Sequence, residues 1–323
     1  MLNKSLMRLL AACFVIAAAQ QAQAQSFPTR AIRMIVPFPP GGSLDVVARP
    51  LALKMSELMG QPVVVDYRTG ASGNIGTEIT VRAPADGYTI MITTIPLVVN
   101  PSLYTKLPFD VARDLAPVSL LAASPFVLVV HPSVPAKSVK ELIALARSRP
   151  GKLNYASAGN GTNLHVAAEL FKNLTGTDIV HVPYKGGGPA LAAILGGEAD
   201  LSFLGVVPVV PYVKAGKMRA LGITSTRRSP ILPALPTIAE SGVPGYEFAS
   251  WYGVLAPAGT PASIITALNT AIVKAMHTSD LAERISREGA DIIASSPAQF
   301  DAHIKAELVR WAKVVKAAGL HAD

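Results

Sequence analysis

The sequence predicts an α/β fold made of two domains. Apolar strand-like runs alternate with amphipathic helical segments along the chain, which is typical of mixed or parallel sheets covered by helices. The length of 323 residues exceeds that of one ordinary domain. A unit of strand, glycine-rich loop and helix occurs in both halves of the chain. We therefore expect one domain from residues 25–125 plus 250–323, and a second from residues 126–249.

The N-terminal residues 1–24 have the pattern of a secretory signal peptide. Lys4 and Arg8 form a basic start, an apolar stretch covers residues 9–19, and a small-residue cleavage site follows at 22–24. The apolar stretch is well short of the roughly twenty residues needed to cross a bilayer. We therefore expect an exported protein, without membrane insertion, whose signal peptide is cleaved.

The mature protein is expected to begin near Gln25 in the periplasm. Removing residues 1–24 leaves 27 basic and 21 acidic residues, a net charge of +6, and no cysteine. Disulfides, thiolate metal sites and cysteine nucleophiles are therefore excluded for the mature chain. Basic residues are scattered and not interleaved with aromatic residues, so nucleic acid is not an expected partner. A mildly cationic surface instead favours small anions.

In the first half, a strand over 33–38 contains Ile35 and Val36 and ends in a run of prolines and glycines. The next helix, 44–59, carries its apolar residues on one stripe: Val47, Leu51, Met55 and Leu58. The remaining elements expected here are strand 62–67, a glycine-rich segment 70–76 leading into helix 75–83, and, after the Asp86-Gly87 turn, strand 88–94.

The second half repeats this alternation. Its expected elements are strand 126–130, helix 138–149, strand 153–156, helix 163–175, strand 179–183, helix 189–196 and strand 199–204. Helix 163–175 has an apolar face formed by Leu164, Ala168, Phe171 and Leu174. The C-terminal end is expected to be helical over 261–277, 279–288 and 297–317. In the last helix, one stripe predicts packing: Phe300, Ile304, Leu308, Trp311 and Val315.

Three glycine-rich loops each follow a predicted strand and precede a helix. We call them loop 1 (38–43), loop 2 (157–162) and loop 3 (184–189). The unpaired N–H groups and the positive dipole end of a helix N-terminus favour an anion. Open α/β sheets bind ligands at the carboxyl ends of their strands. Two such sheets facing one another predict a cleft with helix N-termini on both walls.

Each candidate residue of these loops also has a structural explanation. Gly41 and Gly42 fit either a tight turn or close approach of a ligand to the backbone. Asp45 fits either a first-turn partner of the helix dipole or a ligand contact. Ser157 and Thr162 fit helix caps or ligand donors.

Two further candidates have the same double interpretation. His165 lies in a first helical turn, where the dipole disfavours a cation, so we expect a neutral ring that hydrogen-bonds to a ligand or to backbone. Lys185 fits an exposed lysine or an electrostatic attraction at the cleft rim.

The sequence lacks the usual patterns of catalytic and cofactor sites. The six histidines show no metal-ligand spacing, and no G-x-S-x-G, P-loop or dinucleotide fingerprint occurs. We therefore expect neither catalysis nor a cofactor. An exported hydrolase that uses the same cleft remains an alternative.

Eight stretches together carry a resemblance to a known family. They are "IVPFPPGGSLDVVAR", "VVVDYRTGASGNIGTE", "APADGYTIMI", "NPSLYTKLPFD", "LNYASAGNGTNLH", "HVPYKGGGPALAAILGGEADLSF", "LPTIAESGVPGYE" and "WYGVLAPAGTP". The resemblance that they carry extends over about residues 28–320. On these motifs the chain resembles the Bug-type extracytoplasmic receptors, the solute-binding proteins of tripartite tricarboxylate transporters.

The resemblance implies a periplasmic Venus flytrap fold of type II, with a ligand cleft between two α/β domains. It implies that loops 1 and 2 hold a ligand carboxylate through backbone groups and hydroxyls, partly through water. It also implies that the segment 203–206 lies at the second wall; its apolar character favours an aromatic or aliphatic carboxylate. The complete set of expected ligand-binding residues is Phe38, Pro40, Gly41, Gly42, Ser43, Asp45, Thr94, Ser157, Ala158, Gly159, Gly161, Thr162, His165, Lys185 and Gly205.

The expected function is capture of a small organic carboxylate and its delivery to inner-membrane transporter subunits, by a monomeric protein. One alternative is a periplasmic sensor that feeds a two-component signalling system. Genomic neighbours or a co-purifying partner discriminate between transport and signalling, and a catalytic dyad in the structure favours the hydrolase.

Overall fold

The computed structural model describes residues 27–41, 43–287 and 289–320, and shows a mixed α/β fold. The strands are β1 Ile32–Val36, β2 Val63–Tyr67, β3 Thr89–Thr93, β4 Leu115–Val130, β5 Asn154–Ser157, β6 Val180–Pro183, β7 Leu201–Gly205, β8 Arg219–Ile223, β9 Ala249–Pro257 and β10 Asp291–Ile292. The predicted signal peptide 1–24 and the start near Gln25 lie outside the described residues.

The helices cover both faces of the sheet strands. They are α1 Ser43–Met59, α2 Asn74–Val81, α3 Pro96–Leu103, α4 Val111–Asp114, α5 Val139–Ser148, α6 Asn163–Thr175, α7 Gly187–Gly196, α8 Val206–Lys214, α9 Ala262–Met276, α10 Ser279–Arg287 and α11 Pro297–Ala318. A short 3-10 turn, Ala71–Gly73, precedes α2. In the described part of the chain, none of these helices is both long enough and apolar enough to span a bilayer.

The described strands join into one sheet whose two sections share strand β4. The order is β2-β1-β3-β9-β4-β7-β5-β6, and β8 and β10 also pair with β4. As far as Pro125, β4 pairs with β9. From Phe126 onwards, β4 pairs with β7 and β8 instead. Section 1 therefore contains β1, β2, β3, β9 and the first part of β4, and section 2 contains β5 to β8 and the rest of β4.

The chain crosses between the sections at two neighbouring places. Pro125 in β4 is paired with Ala249 at the start of β9. Next to this pair, the N–H of Phe248 donates to the carbonyl of Thr224 in section 2. Two adjacent crossings of this kind are compatible with a hinge. The predicted domain division at 125/126 and 249/250 stays a prediction.

The last helix packs as its stripe predicts. Phe300 and Trp311 of α11 are fully buried, and Ile304 and Val315 are nearly so. The buried faces of α1 and α6 are shorter than predicted, since Leu58 is 41% exposed and Leu174 is 42% exposed. Each of these two residues lies in the last turn of its helix, where the side chain is no longer covered by the core.

Several elements were not predicted from the sequence. These are α3, α4, α8, β8, β9 and the first part of β4. Prolines obscure three of them: Pro96 and Pro101 in α3, Pro208 and Pro211 in α8, and Pro117 and Pro125 in β4. Proline normally argues against a helix interior or a central strand, so the local pattern pointed to loops.

Candidate functional site

The predicted loops lie at the carboxyl ends of parallel strands. In section 1, β1 is parallel to both β2 and β3, so loop 1 and Thr94 follow strand ends on one edge. In section 2, β5 is parallel to β6 and β7, so loops 2 and 3 and Gly205 lie at a corresponding edge. Both edges adjoin the crossing strands, because Gly205 pairs with Phe126 and Thr93 pairs with Gly253.

Loop 1 is held by the carboxylate of Asp45. Gly41 has a φ of 82°, and its N–H donates to Asp45 Oδ2 over 2.8 Å. Arg49 Nε donates to the same carboxylate over 2.9 Å, and the Tyr67 hydroxyl donates to Oδ1. Burial raises the pKa of Asp45, but the hydrogen bonds from these three groups outweigh it and bring the pKa below its ordinary value. Asp45, in the first turn of α1, therefore fixes the conformation of loop 1 by accepting the Gly41 N–H.

Other predicted residues of loop 1 are less constrained. Phe38 is half-buried, and Pro40 and Gly41 are exposed. A Cβ added to Gly41 would meet nothing within 4 Å, so the space beside it is open. Gly42 and the side chain of Ser43 lie outside the described residues.

The segment 70–74 connects loop 1 to loop 2. A Cβ on Gly73 would come 3.3 Å from Phe38 Cζ, so this segment packs directly on loop 1. The Ser72 hydroxyl donates to the carbonyl of Asn160 in loop 2 over 3.0 Å. Ser72 has a φ of 52°, in the left-handed region that residues other than glycine seldom adopt. Such local strain is typical of functional segments.

Two asparagines add polar contacts at the site, Asn100 within section 1 and Asn163 between the sections. Asn100 of α3 donates to the Ser72 carbonyl over 3.0 Å and to Asn74 Oδ1 over 2.7 Å. Asn163, at the start of α6, donates to the Ser250 hydroxyl over 2.6 Å. Its amide also lies 3.4 Å from the Thr94 hydroxyl, which brings predicted residue Thr94 to the end of loop 2.

Each asparagine also leaves a buried acceptor. Within the described residues, Oδ1 of Asn100 and Oδ1 of Asn163 are buried without a hydrogen-bond partner. Buried acceptors of this kind normally have a partner, so both oxygens are suited to receive a hydrogen bond from water or a ligand.

Loop 2 is closed by its own hydrogen bonds. Ser157 Oγ accepts the N–H of Gly159 over 3.1 Å, and the Thr162 hydroxyl donates to the Gly159 carbonyl over 2.7 Å. The N–H of Gly161 donates to His165 Nδ1 over 3.0 Å. Within the described residues, the N–H groups of Ala158 and Asn160 have no protein acceptor. These two donors, and not those of the glycines, are the ones that loop 2 offers to an anion.

A stack of three rings lies behind loop 2. The ring of His181 lies between those of Tyr155 and His165, with centroid distances of 4.8 Å and 4.2 Å. The Tyr155 hydroxyl donates to Glu169 over 2.5 Å, and Lys172 pairs with the same carboxylate over 2.7 Å. Burial lowers the pKa of each histidine to about 4, so both rings are neutral at ordinary pH.

Ser157 and His181 approach each other like a nucleophile and its base, since Ser157 Oγ lies 2.6 Å from His181 Nε2. Ser157 is fully buried, however, and its Oγ is already bonded to Gly159. Within the described residues, no carboxylate pairs with the ring of His181 to orient it as a base. The pair supports the loop and does not present a nucleophile to the cleft.

The remaining predicted residues lie beside loop 2 or below it. Lys185 is exposed in loop 3. The residue before it, Tyr184, lies close to loop 2, because a Cβ added to Gly159 would come 3.6 Å from the carbonyl oxygen of Tyr184. Gly205 is half-buried at the end of β7. The apolar side chains of 203, 204 and 206, expected at the second wall, are buried in the core. They therefore give no information on ligand polarity.

Two surface depressions lie away from these loops. One, of about 390 Å³, is lined by residues of β1 and β2 such as Arg33 and Asp66. The other, of about 590 Å³, lies on α9 around Asn269 and His277. Both are shallow and neither adjoins loop 1 or loop 2, so we do not assign the ligand to them.

Sequence reasoning missed the residues that join the loops: Ser72, Asn74, Asn100, His181, Asn163 and Ser250. The glycine-rich run 70–76 was the one available signal for Ser72 and Asn74. For the others the contact depends on the packing of distant strands and helices, which no local pattern indicates.

Comparison with known sequences gives matches over most of the chain. The family model described as "Tripartite tricarboxylate transporter family receptor" matches residues 47–320. The protein BugT of Bordetella pertussis is 42% identical over 92% of this chain and 91% of its own length.

Solved structures agree with these matches. The structure of R. palustris Rpa4515 with adipate has a TM-score of 0.83 and 41% identity, covering 91% of this chain and 99% of that one. MatC (Rpa3494) from Rhodopseudomonas palustris with bound malate has a TM-score of 0.81 and 32% identity, covering 90% of this chain and 100% of that one.

Proposed function

The chain belongs to the tripartite tricarboxylate transporter receptor family, and we propose that it captures a small organic carboxylate between loops 1 and 2. It delivers this ligand to the membrane subunits of a transporter. It acts as a monomer in the periplasm after removal of residues 1–24. We propose two domains, residues 25–125 plus 250–323 and residues 126–249; the change of β4 from pairing with β9 to pairing with β7 between Pro125 and Phe126 supports the first boundary.

The observation that carries this proposal is the set of unpaired donors at the two strand edges. In the described part of loop 2, the N–H groups of Ala158 and Asn160 have no protein acceptor. Loop 1 leads into the N-terminus of α1, whose first N–H groups lack helical partners. Each charge-assisted bond to a carboxylate is worth roughly 1.5–3 kcal/mol. Backbone donors of this kind bind an anion without a charged partner.

The relatives support a carboxylate as the common feature of the ligand. One structure contains adipate and another contains malate, which differ in length and in a hydroxyl group but share carboxylates. Recognition through backbone donors and water tolerates such differences. We therefore propose that one unesterified carboxylate is required and that the remainder of the ligand varies.

A ligand that contacts both loops also favours the closed arrangement. Ser72 already touches loop 2, and Asn163 touches Ser250 of section 1, so the sections meet around the site. Because a ligand shifts a conformational equilibrium towards the form that it binds best, carboxylate binding closes the two domains.

A melting screen tests the proposal. Adipate, malate and monocarboxylic acids are compared with their methyl esters on the mature protein. An acid at one hundred times its Kd adds about 2.7 kcal/mol to the free energy of unfolding, which raises Tm by about 5 °C. The ester lacks the charge and should produce almost no shift. Equal shifts from an acid and its ester, or no shift from any acid, would contradict the proposal.

A further inference from the structure

We propose that His165 and His181 are positioning residues: as a neutral imidazole pair they hold loop 2 in its ligand-binding shape, and protonation of His165 releases the loop. This inference rests on the proposed function for the role of loop 2. It goes beyond that function because it assigns the shape of the loop to two side chains that contact it from behind.

The contact of His165 fixes one end of loop 2. A backbone N–H only donates, so the bond from Gly161 makes Nδ1 of His165 an acceptor and places the ring proton on Nε2. Gly161 has a φ of 73°, a conformation that glycine adopts without strain, so the bond to His165 is what fixes the direction of its N–H. A protonated Nδ1 would point a second hydrogen at the same N–H. Charging this ring therefore breaks the bond.

The contact of His181 fixes the other end. Nε2 of His181 lies 2.6 Å from Ser157 Oγ, and this oxygen accepts the N–H of Gly159. The ring thus orients the hydroxyl that holds Gly159. The two bonded glycines flank Asn160, so the pair determines where the unpaired N–H groups of Ala158 and Asn160 point.

The surroundings keep the pair neutral. His165 is 5% exposed, and the two rings stack 4.2 Å apart, so a charge on one ring disfavours a charge on the other. The charged and titratable groups that face them are Tyr155 of β5 and Glu169 and Lys172 of α6. Glu169 favours the charged form of His181, but its carboxylate is already paired with Lys172, and Lys172 opposes that charge. Both histidines keep a pKa of about 4, with burial as the main cause.

The test compares two substitutions at His165 with one at an exposed histidine. His165→Asn keeps an acceptor, Oδ1, near the place of Nδ1 but cannot be protonated in this pH range. His165→Leu removes the acceptor. His277→Asn is the matched control, because His277 is exposed directly after the C-terminal end of α9, away from the loops.

The first measurement needs no ligand. Amide hydrogen exchange and the ¹H–¹⁵N shift of Gly161 are recorded between pH 7 and pH 4. In the wild type and in His277→Asn, the Gly161 shift should change as the pH approaches 4 and its exchange, corrected for intrinsic pH effects, should accelerate. In His165→Asn both should stay constant, and in His165→Leu exchange should be fast at every pH. A pH-independent Gly161 amide in the wild type would overturn the inference.

The second measurement uses adipate as the probe in calorimetry. At pH 7, His165→Asn should bind within threefold of the wild type, and His165→Leu should bind at least tenfold more weakly. At pH 4, the wild type should lose about twofold more affinity than His165→Asn, because half of the His165 rings are then charged. Equal binding by all four proteins would overturn the positioning role. If the wild type binds neither adipate nor any other acid, the proposed function fails, while the amide measurement still decides the inference.

Discussion

Loop 1 lies on charged side chains near the surface, whereas loop 2 lies on a buried stack of neutral rings. In loop 1 the glycine N–H is held by Asp45, whose partner Arg49 is 60% exposed at its side chain. In loop 2 the glycine N–H is held by His165, which is 5% exposed. The same sequence pattern of strand, glycines and helix is thus supported by two different kinds of interaction.

This difference determines which changes should destabilise each loop. The ion pair of loop 1 is only partly open to water, since Arg49 is exposed and Asp45 is buried, so salt screens it in part. A buried hydrogen bond is insensitive to salt, but losing one partner leaves an unpaired polar group at a cost of roughly 1–3 kcal/mol. We therefore expect changes in loop 2 to be the more damaging, and changes in loop 1 to depend on ionic strength.

The largest effect is expected for Gly161→Val compared with Gly41→Val. Both glycines have a positive φ, 73° and 82°, so both substitutions carry backbone strain of roughly 1–3 kcal/mol. Only at Gly161 would the new Cβ also meet neighbours, 3.0 Å from Leu103 Cδ1 and 3.3 Å from Asn100 Oδ1. Gly161→Val should therefore also force section 1 away from loop 2.

Calorimetric titration with adipate measures this difference. Gly161→Val should weaken binding at least a hundredfold, and Gly41→Val about tenfold or less. Circular dichroism shows whether both variants remain folded. Similar losses of adipate affinity in the two variants would mean that backbone strain alone explains both losses, and that the contact between the sections at Gly161 does not contribute.

A smaller effect is expected from acid acting on the ring stack. The pKa of His165 and of His181 lies near 4 in the folded protein, below the ordinary value of about 6.5. Between these values the unfolded chain binds more protons, so the free energy of unfolding falls as the pH drops from 6.5 towards 4. Between pH 6.5 and pH 5 we expect a loss on the order of 3 kcal/mol from the pair.

Denaturant titrations at several pH values measure that loss. His165→Asn should reduce the dependence on pH over this range, and His277→Asn should leave it unchanged. A His165→Asn protein with the full wild-type dependence would show that the acid sensitivity arises elsewhere.

The smallest effect is expected for Asp45→Asn in loop 1. The amide keeps an oxygen for the Gly41 N–H but loses the ion pair with Arg49. We expect a loss of about 0–1 kcal/mol in the free energy of unfolding at low salt, and a smaller loss at about 0.5 M salt. Thermal melting at two ionic strengths measures it. A loss that is large and independent of salt would contradict the contrast between the two loops.

Much of the alternation of strands and helices could be predicted, because hydrophobic periodicity is a local property. The first part of β4 could not, since it contains Pro117 and Pro125 and therefore does not have the pattern of a central strand. Strand β9 was also not predicted. Both loops were predicted from their glycines. The histidine contacts were not: His181 reaches Ser157 only because β5 and β6 are neighbouring parallel strands.

The central claim is that a carboxylate binds between loop 1 and loop 2, and amide chemical-shift mapping tests it most directly. Adipate is titrated into ¹⁵N-labelled mature protein, with its dimethyl ester as the control. The account predicts the largest shifts at Phe38, Gly41, Ala158 and Asn160 with the acid, and no shifts with the ester. Shifts confined to the depression on α9 around Asn269 and His277, or equal shifts with acid and ester, would contradict it.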